Sequence, residues 1–183
     1  MITSKNYIYE NTSVCFVSVG KELSVVIDTP HLQIKSVDVC DIGDIWKLYK
    51  KEKTLPEITR KVANWETLWE AGNPCSVLAV RLNGSSNQFI GYLGLKRKCS
   101  GFVKLFGHGY SDYWNVYGYE ATAAVTQAYV RGINAKLKPE IPFCLIEAET
   151  EVNKNSNQIL RKFGQEHIKE EMSRYAILLM SEI

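Results

Sequence analysis

Residues 143–164 read FCLIEAETEVNKNSNQILRKFG, and how they are read decides the fold. Positions 143–152 form a strand pattern with two unlike sides. Cys144, Ile146, Ala148, Thr150 and Val152 alternate with Leu145, Glu147, Glu149 and Glu151, and successive strand residues point to opposite faces. A helical run precedes this strand, so it is reached by a crossover and is expected to lie parallel to the strand before that helix. Parallel strands are usually covered on both faces and apolar throughout. Three carboxylates under a helix are costly, so the glutamate face is expected to open onto water or a cleft. It is then either an edge strand with solvated glutamates or the wall of a site. In a site, Glu149 before Glu147 would take a proton from an amine, because crowded carboxylates raise one pKa toward the range a base needs.

Upstream, residues 112–130 read DYWNVYGYEATAAVTQAYV. An aromatic-rich segment runs into Gly118, and an alanine-rich helix is expected from Glu120 to about residue 137. A turn that opens a helix leaves backbone N–H groups free at the positive end of the macrodipole, where a pyrophosphate can sit. A plain turn is the other reading.

The rest of the chain frames these stretches. Residues 14–19 and 23–27 read as a hairpin around Gly20-Lys21-Glu22, an N-terminal addition within residues 1–28 that extends a sheet or covers an edge. A half-buried strand is predicted over residues 31–37. Asp41 is read as the cap of a helix running to about residue 51. A second helix starts at Thr54 or Leu55-Pro56 and ends at Gly72-Asn73-Pro74. Trp46, Trp65 and Trp69 read as packing residues. Strands over 76–82, 88–96 and 102–107 form an antiparallel meander. A short helix over 156–163 and a strand over 175–180 close the chain.

With 183 residues, 45% hydrophobic and 23% charged, the chain suits a single domain spanning 1–183. A net charge of +2 favours neither nucleic acid nor an acidic membrane. No apolar run reaches 18 residues, and the N-terminus lacks the apolar core of a signal peptide. Five widely spaced cysteines read as reduced thiols of a cytoplasmic protein, and the ligands for a metal site do not cluster.

Asn153-Lys154-Asn155-Ser156, followed by Ile159, Leu160, Lys162, Phe163 and Gly164, closely resembles the last motif of the GNAT N-acetyltransferase superfamily. Asp112-Tyr113-Trp114-Asn115 resembles the family's entry to its pyrophosphate loop. Thr29-Pro30-His31-Leu32-Gln33-Ile34-Lys35 resembles the first strand of the branch that holds ribosomal-protein N-terminal acetyltransferases and related small-amine acetyltransferases. The resemblance covers about residues 28–180. It implies a GNAT fold of the α/β (α+β) class: a mixed, mostly antiparallel central sheet, flanking helices, and a parallel pair of strands that splays apart. That pair would be residues 102–107 and 143–152. It implies acetyl-CoA as acyl donor, no metal, and a small-molecule amine or a peptide N-terminus as acceptor, with a homodimer allowed. By position, Asn153 and Ser156 would contact the cofactor, and Asn115, Val116, Tyr117, Gly118 and Tyr119 would form the pyrophosphate loop. The sequence departs from the family pattern there, keeping one glycine and placing Glu120 where a small residue is usual. Leu160 stands where many members carry a tyrosine acid, which leaves Tyr110 or Tyr113 as proton donors by position, with His108 beside the strand over 102–107. A second reading follows from these departures: a catalytically impaired module that binds CoA or another protein.

Overall fold

Nine strands pair side by side in the order in which the chain makes them. The computed structural model describes residues 2–9, 11–49, 52–84, 86–99, 102–129, 145–149 and 174–178, and of 2–9, 97–99, 102–104, 145–149 and 174–178 the backbone alone. The strands are β1 (Ile2–Tyr9), β2 (Thr12–Val19), β3 (Glu22–Asp28), β4 (Leu32–Ser36), β5 (Val77–Leu82), β6 (Phe89–Cys99), β7 (Phe102–Gly109), β8 (Leu145–Glu149) and β9 (Arg174–Leu178). Helices α1 (Ile42–Tyr49) and α2 (Leu55–Glu70) join β4 to β5, and α3 (Ser111–Gln127) follows β7. Among the described residues all pairings are antiparallel except one. β7 and β8 run parallel, from Phe102 opposite Leu145 to Leu105 opposite Ala148.

The expected N-terminal hairpin is present as β2 and β3, and a third strand precedes it. β1 pairs with β2 along its full length, from Ile2 opposite Val19 to Tyr9 opposite Thr12. β3 continues onto β4, so this N-terminal unit extends the sheet. In β2 and β3 one side is apolar and buried: Val14 and Phe16, then Leu23, Val25 and Ile27. β5 and β6 are the enclosed strands, with residues 77–80 of the one and 89–95 of the other all buried, as expected of strands covered on both faces.

The helices divide between the two faces. On β6, Tyr92 meets Trp65 of α2, and Tyr49 of α1 hydrogen-bonds its hydroxyl. The neighbouring Gly91 faces Trp114 of α3. Adjacent residues of a strand address opposite faces, so α1 and α2 cover one side and α3 the other. Ile58, Val62 and Trp69 recur at helical spacing and form the buried stripe of α2. Its start is fixed by the Glu57 carboxylate, which accepts from both the backbone N and the hydroxyl of Thr54. Trp69 is buried and donates its indole N–H to the Val77 carbonyl at 2.9 Å. Trp46 is partly exposed.

Asp41 does not cap α1. Asp38 does the capping, ahead of a 3-10 turn (Val39–Asp41) whose Cys40 amide its side chain accepts at 2.7 Å. Asp41 is fully buried, accepting from the Asp38 amide at 3.0 Å and from Arg81 Nη2 of β5 at 2.7 Å. Arg81 also bonds Asp44 at 3.0 Å and lies over the Phe89 ring. Burial opposes the guanidinium charge, but the hydrogen bonds and charges of Asp41 and Asp44 outweigh it and hold its pKa above the ordinary value. This ion pair locks α1 to β5.

Candidate active site

The site is built where β7 passes into α3. Gly109 ends the strand, Tyr110 is the N-cap, and the helix begins at Ser111. Tyr110 is extended (φ −66°, ψ 126°), and its own N–H is held by the Ile90 carbonyl at 3.0 Å. Its carbonyl accepts from Tyr113 and Trp114 at 3.1 and 2.8 Å. Its side chain does not cap the helix. Ser111 and Asp112 are exposed, and their amides have no acceptor among the described residues. These are the free donors of the helix start.

This corrects the expected turn at Gly118. The helix begins seven residues before it, so Asn115, Val116, Tyr117, Gly118 and Tyr119 all lie inside α3. An interior helical amide is committed to the carbonyl four residues back, so these positions do not offer the amides of a loop. Asn115 and Val116 are exposed, and Tyr117 and Tyr119 are half-buried. Tyr117 sits beside the His31 ring, 5.9 Å between centroids. Gly118 is buried because the Trp114 indole lies over it: a Cβ there would stand 3.3 Å from Cδ1 and Nε1. The glycine serves a side chain of its own helix.

Trp114 is the wedge of the junction. A Cβ added to Gly91 would meet its ring at 2.7 Å, one on Gly107 at 3.3 Å, and one on Gly109 would overlap it. Gly91 pairs with Gly109 and Leu93 with Gly107 across β6 and β7. Glycines on adjacent strands thus make a flat seat for one indole, and the seat sets how closely α3 starts against the sheet.

Glu120 turns away from the helix start. Its Oε1 accepts from the Thr29 hydroxyl at 2.5 Å and the His31 amide at 3.2 Å, and its Oε2 accepts from His31 Nδ1 at 2.9 Å. The Thr29 hydroxyl accepts in turn from the Leu32 amide at 2.9 Å. The glutamate therefore pins the entrance of β4 to α3 and puts no charge at the first turn. The charge that does stand there is Asp112.

The parallel β7–β8 pair borders this junction. The register sets Glu147 opposite Lys104, and Glu149 opposite Arg174 of β9. β7 runs on to Gly109, four residues past Leu105, its last residue paired with β8 (at Ala148) among the described residues. Any divergence beyond that point, the motif residues Asn153 and Ser156, and the expected helix over 156–163 lie outside the described residues.

On the other face, β6 and β7 carry an aromatic cluster. The Tyr49 and Tyr92 hydroxyls are hydrogen-bonded to each other. His108 stacks on Tyr49 at 5.1 Å and 13°. Burial, then the bond to Tyr49, pushes the Tyr92 phenol well above its ordinary pKa, so it stays a neutral hydroxyl. His108, read as reaching toward the cleft, is exposed and engaged with Tyr49. Tyr110 and Tyr113 are half-buried against the core, and Tyr113 donates to Gln88 at 3.2 Å. Sequence reading passed over Tyr49 and Tyr92, which carry no motif; they are brought together only by packing α1 on β6.

No family model matches the sequence, and no curated protein matches it. Solved structures do. An acetyltransferase of the GNAT family from Bacillus anthracis shares 16% identity, with a TM-score of 0.56 over 84% of this chain and 98% of that one. A ribosomal-protein-S5-alanine acetyltransferase from Vibrio fischeri shares 13%, with a TM-score of 0.59 over 79% and 84%. A spermidine N-acetyltransferase chimera of Vibrio cholerae and human-type sequences shares 12%, with a TM-score of 0.56 over 81% and 95%. At these identities the likeness is one of fold, and the chain has the fold of the GNAT acetyltransferases, ribosomal-protein acetyltransferases among them.

Proposed function

We propose that the protein is an acetyl-CoA-dependent N-acetyltransferase acting on a primary amine. The observation that carries this is the single parallel pair in an otherwise antiparallel sheet, with α3 starting two residues after β7 ends. That arrangement offers a strand edge and a helix start side by side, which suits a ligand that is extended at one end and anionic at the other.

The residues present fit such a cofactor. The Ser111 and Asp112 amides are exposed, point from a helix start and lack acceptors among the described residues, which suits a pyrophosphate. The phosphate position thus moves one to two turns ahead of the glycine that the sequence suggested. Asp112 is the one charge that opposes it. The backbone of β7 beyond Leu105 is placed to pair with the pantetheine arm, and Asn153 and Ser156 are proposed to complete the contact. When bound, acetyl-CoA supplies the acyl thioester. The protein's part is to hold the amine in line with it and to polarise the carbonyl through a β7 amide. Glu149, or Glu147, takes the amine proton, and Tyr110 is the proposed proton donor. We place the reaction in the cytoplasm.

A second reading rests on α3 itself. Without a glycine-rich loop, and with Asp112 in the first turn, the protein would bind CoA or a protein partner and not turn over. Thermal stabilisation by acetyl-CoA tests binding, and release of free CoA with a panel of amines tests turnover. Binding with CoA release supports the enzyme, binding without release supports the module, and no stabilisation by any acyl-CoA at saturation sinks the enzyme and the CoA-binding form of the module.

A further inference from the structure

A cleft of about 510 Å³ opens between α2 and the sheet on the face opposite α3. Its apolar lining comes from Trp65 and Leu68 of α2 and Phe106 of β7. Its rim holds two ammonium groups, Lys61 and Lys96, and no carboxylate stands among its described lining residues. Among the described residues neither lysine has an acidic group within ion-pair distance. Lys61 is half-buried, and its Nζ lies 5.5 Å from the Tyr49 ring, which Lys53 also approaches at 5.8 Å. Burial and the nearby Lys53 charge lower the Lys61 pKa, and the Glu57 charge on the same helix offsets them only in part. An ammonium held among apolar groups and beside a second ammonium gains more from an incoming carboxylate than a solvated lysine does.

The cleft also borders the parallel pair. Phe106 follows Leu105, the last β7 residue opposite β8. The register runs Lys96 beside Lys104 and Lys104 beside Glu147. Lysine positions thus lead across the sheet to a glutamate position.

Resting on the acetyltransferase reading, we infer that the acceptor is an amine that also carries a carboxylate, seated in this cleft with the carboxylate at Lys61 and Lys96 and its apolar part on Trp65 and Phe106. A polycation such as spermidine is disfavoured, because it would bring like charge to both lysines. A free amino acid and an acidic peptide N-terminus share the required chemistry.

The test compares four acceptors: a short peptide with aspartate at its second residue, its asparagine counterpart, a free amino acid and spermidine. The wild-type protein is expected to acetylate at least one carboxylate-bearing acceptor, with kcat/KM about tenfold above the asparagine peptide and well above spermidine. The better of the peptide and the amino acid identifies the source of the carboxylate. K61E and K96E, with retained thermal midpoints, are expected to lose this preference or invert it. Preference for spermidine, or a preference that neither variant changes, overturns the inference and leaves the enzyme reading intact. If no amine is acetylated, calorimetric titration with the two peptides decides. Tighter binding of the aspartate peptide, lost in K61E and K96E, upholds the carboxylate site while the enzyme reading fails, and equal binding overturns the site as well.

Discussion

Glu120 and His31 stand 89 residues apart in sequence and 2.9 Å apart in space. Their contact joins the middle of α3 to the residue just ahead of β4, and Thr29 shares the same carboxylate. Thr29 is buried and His31 exposed, so the two halves of the contact differ in weight. E120A is expected to lower unfolding stability by about 1–2 kcal/mol, chiefly through Thr29 and the His31 amide. H31A is expected to cost less than about 1 kcal/mol, as exposed ion pairs do. Urea unfolding of both variants checks the order; a larger loss in H31A contradicts it.

The seat beneath Trp114 makes a sharper prediction. G109A would drive a Cβ into the indole and to 2.8 Å from the Ile90 carbonyl. The expected loss is about 1–3 kcal/mol, with altered tryptophan emission as the indole shifts. G43A on α1 is the control. Nothing lies within 4 Å of a Cβ there, and alanine favours a helix by about 1 kcal/mol over glycine. Thermal midpoints of the two variants should therefore move in opposite directions.

Asp112 sets two properties against each other. A carboxylate in the first turn stabilises a helix by about 0.3–1 kcal/mol and repels an anion at the same spot by a similar amount. D112N is expected to melt slightly earlier and to bind acetyl-CoA two- to fivefold more tightly, roughly the factor that this energy implies. Calorimetric titration and thermal unfolding read the two effects separately. Weaker cofactor binding in D112N would move the phosphate away from this helix start.

Acid should loosen the junction of α1 with β5. Burial raises the pKa of Asp38 and Asp44, but hydrogen bonds from the Cys40 amide and Lys35, and from Lys47 and Arg81, outweigh it, so both lie below the ordinary 3.8. A depressed folded pKa means stability that is present above the unfolded value and lost as pH falls through the folded one. Their contribution is thus complete at neutral pH and disappears below about pH 4. D44N should shallow that acid limb in urea unfolding measured from pH 6 to pH 2. R81M removes the partner of a buried carboxylate, Asp41, and is expected to cost about 3–5 kcal/mol at pH 7.

Much of the fold is legible where local and global preferences agree. Thr54, Pro56 and Glu57 announce α2, and the stripe of Ile58, Val62 and Trp69 fixes its buried side. β2, β3 and the β5–β7 meander are bounded by turns that sequence reveals. β1 escaped because ITSKNYIY mixes polar and apolar residues on both alternating sets, so no buried side announces itself. Gly118 misled for a physical reason. A glycine inside a helix costs about 1 kcal/mol relative to alanine, so it reads as a turn unless the indole four residues earlier is known to cover it. Asp38 and Asp41 both suit a cap, and only Arg81, 40 residues on, shows that Asp41 is engaged elsewhere. The β7–β8 pairing was legible through the crossover, whereas the Tyr49–Tyr92–His108 cluster depends on long-range packing that no spacing encodes.

The strand order also bears on how the chain folds. Because neighbours in the sheet are neighbours in sequence, the β1–β4 and β5–β7 meanders need only short loop closures, which cost little chain entropy. Three joins need long ones: β4 to β5 through α1 and α2, β7 to β8 through α3, and β8 to β9 across residues 150–173. Non-local contacts of this kind are slow to form. The proposed catalytic groups straddle the second join, so the meanders can assemble as local units while the edge that would bind cofactor is completed only by a long-range closure.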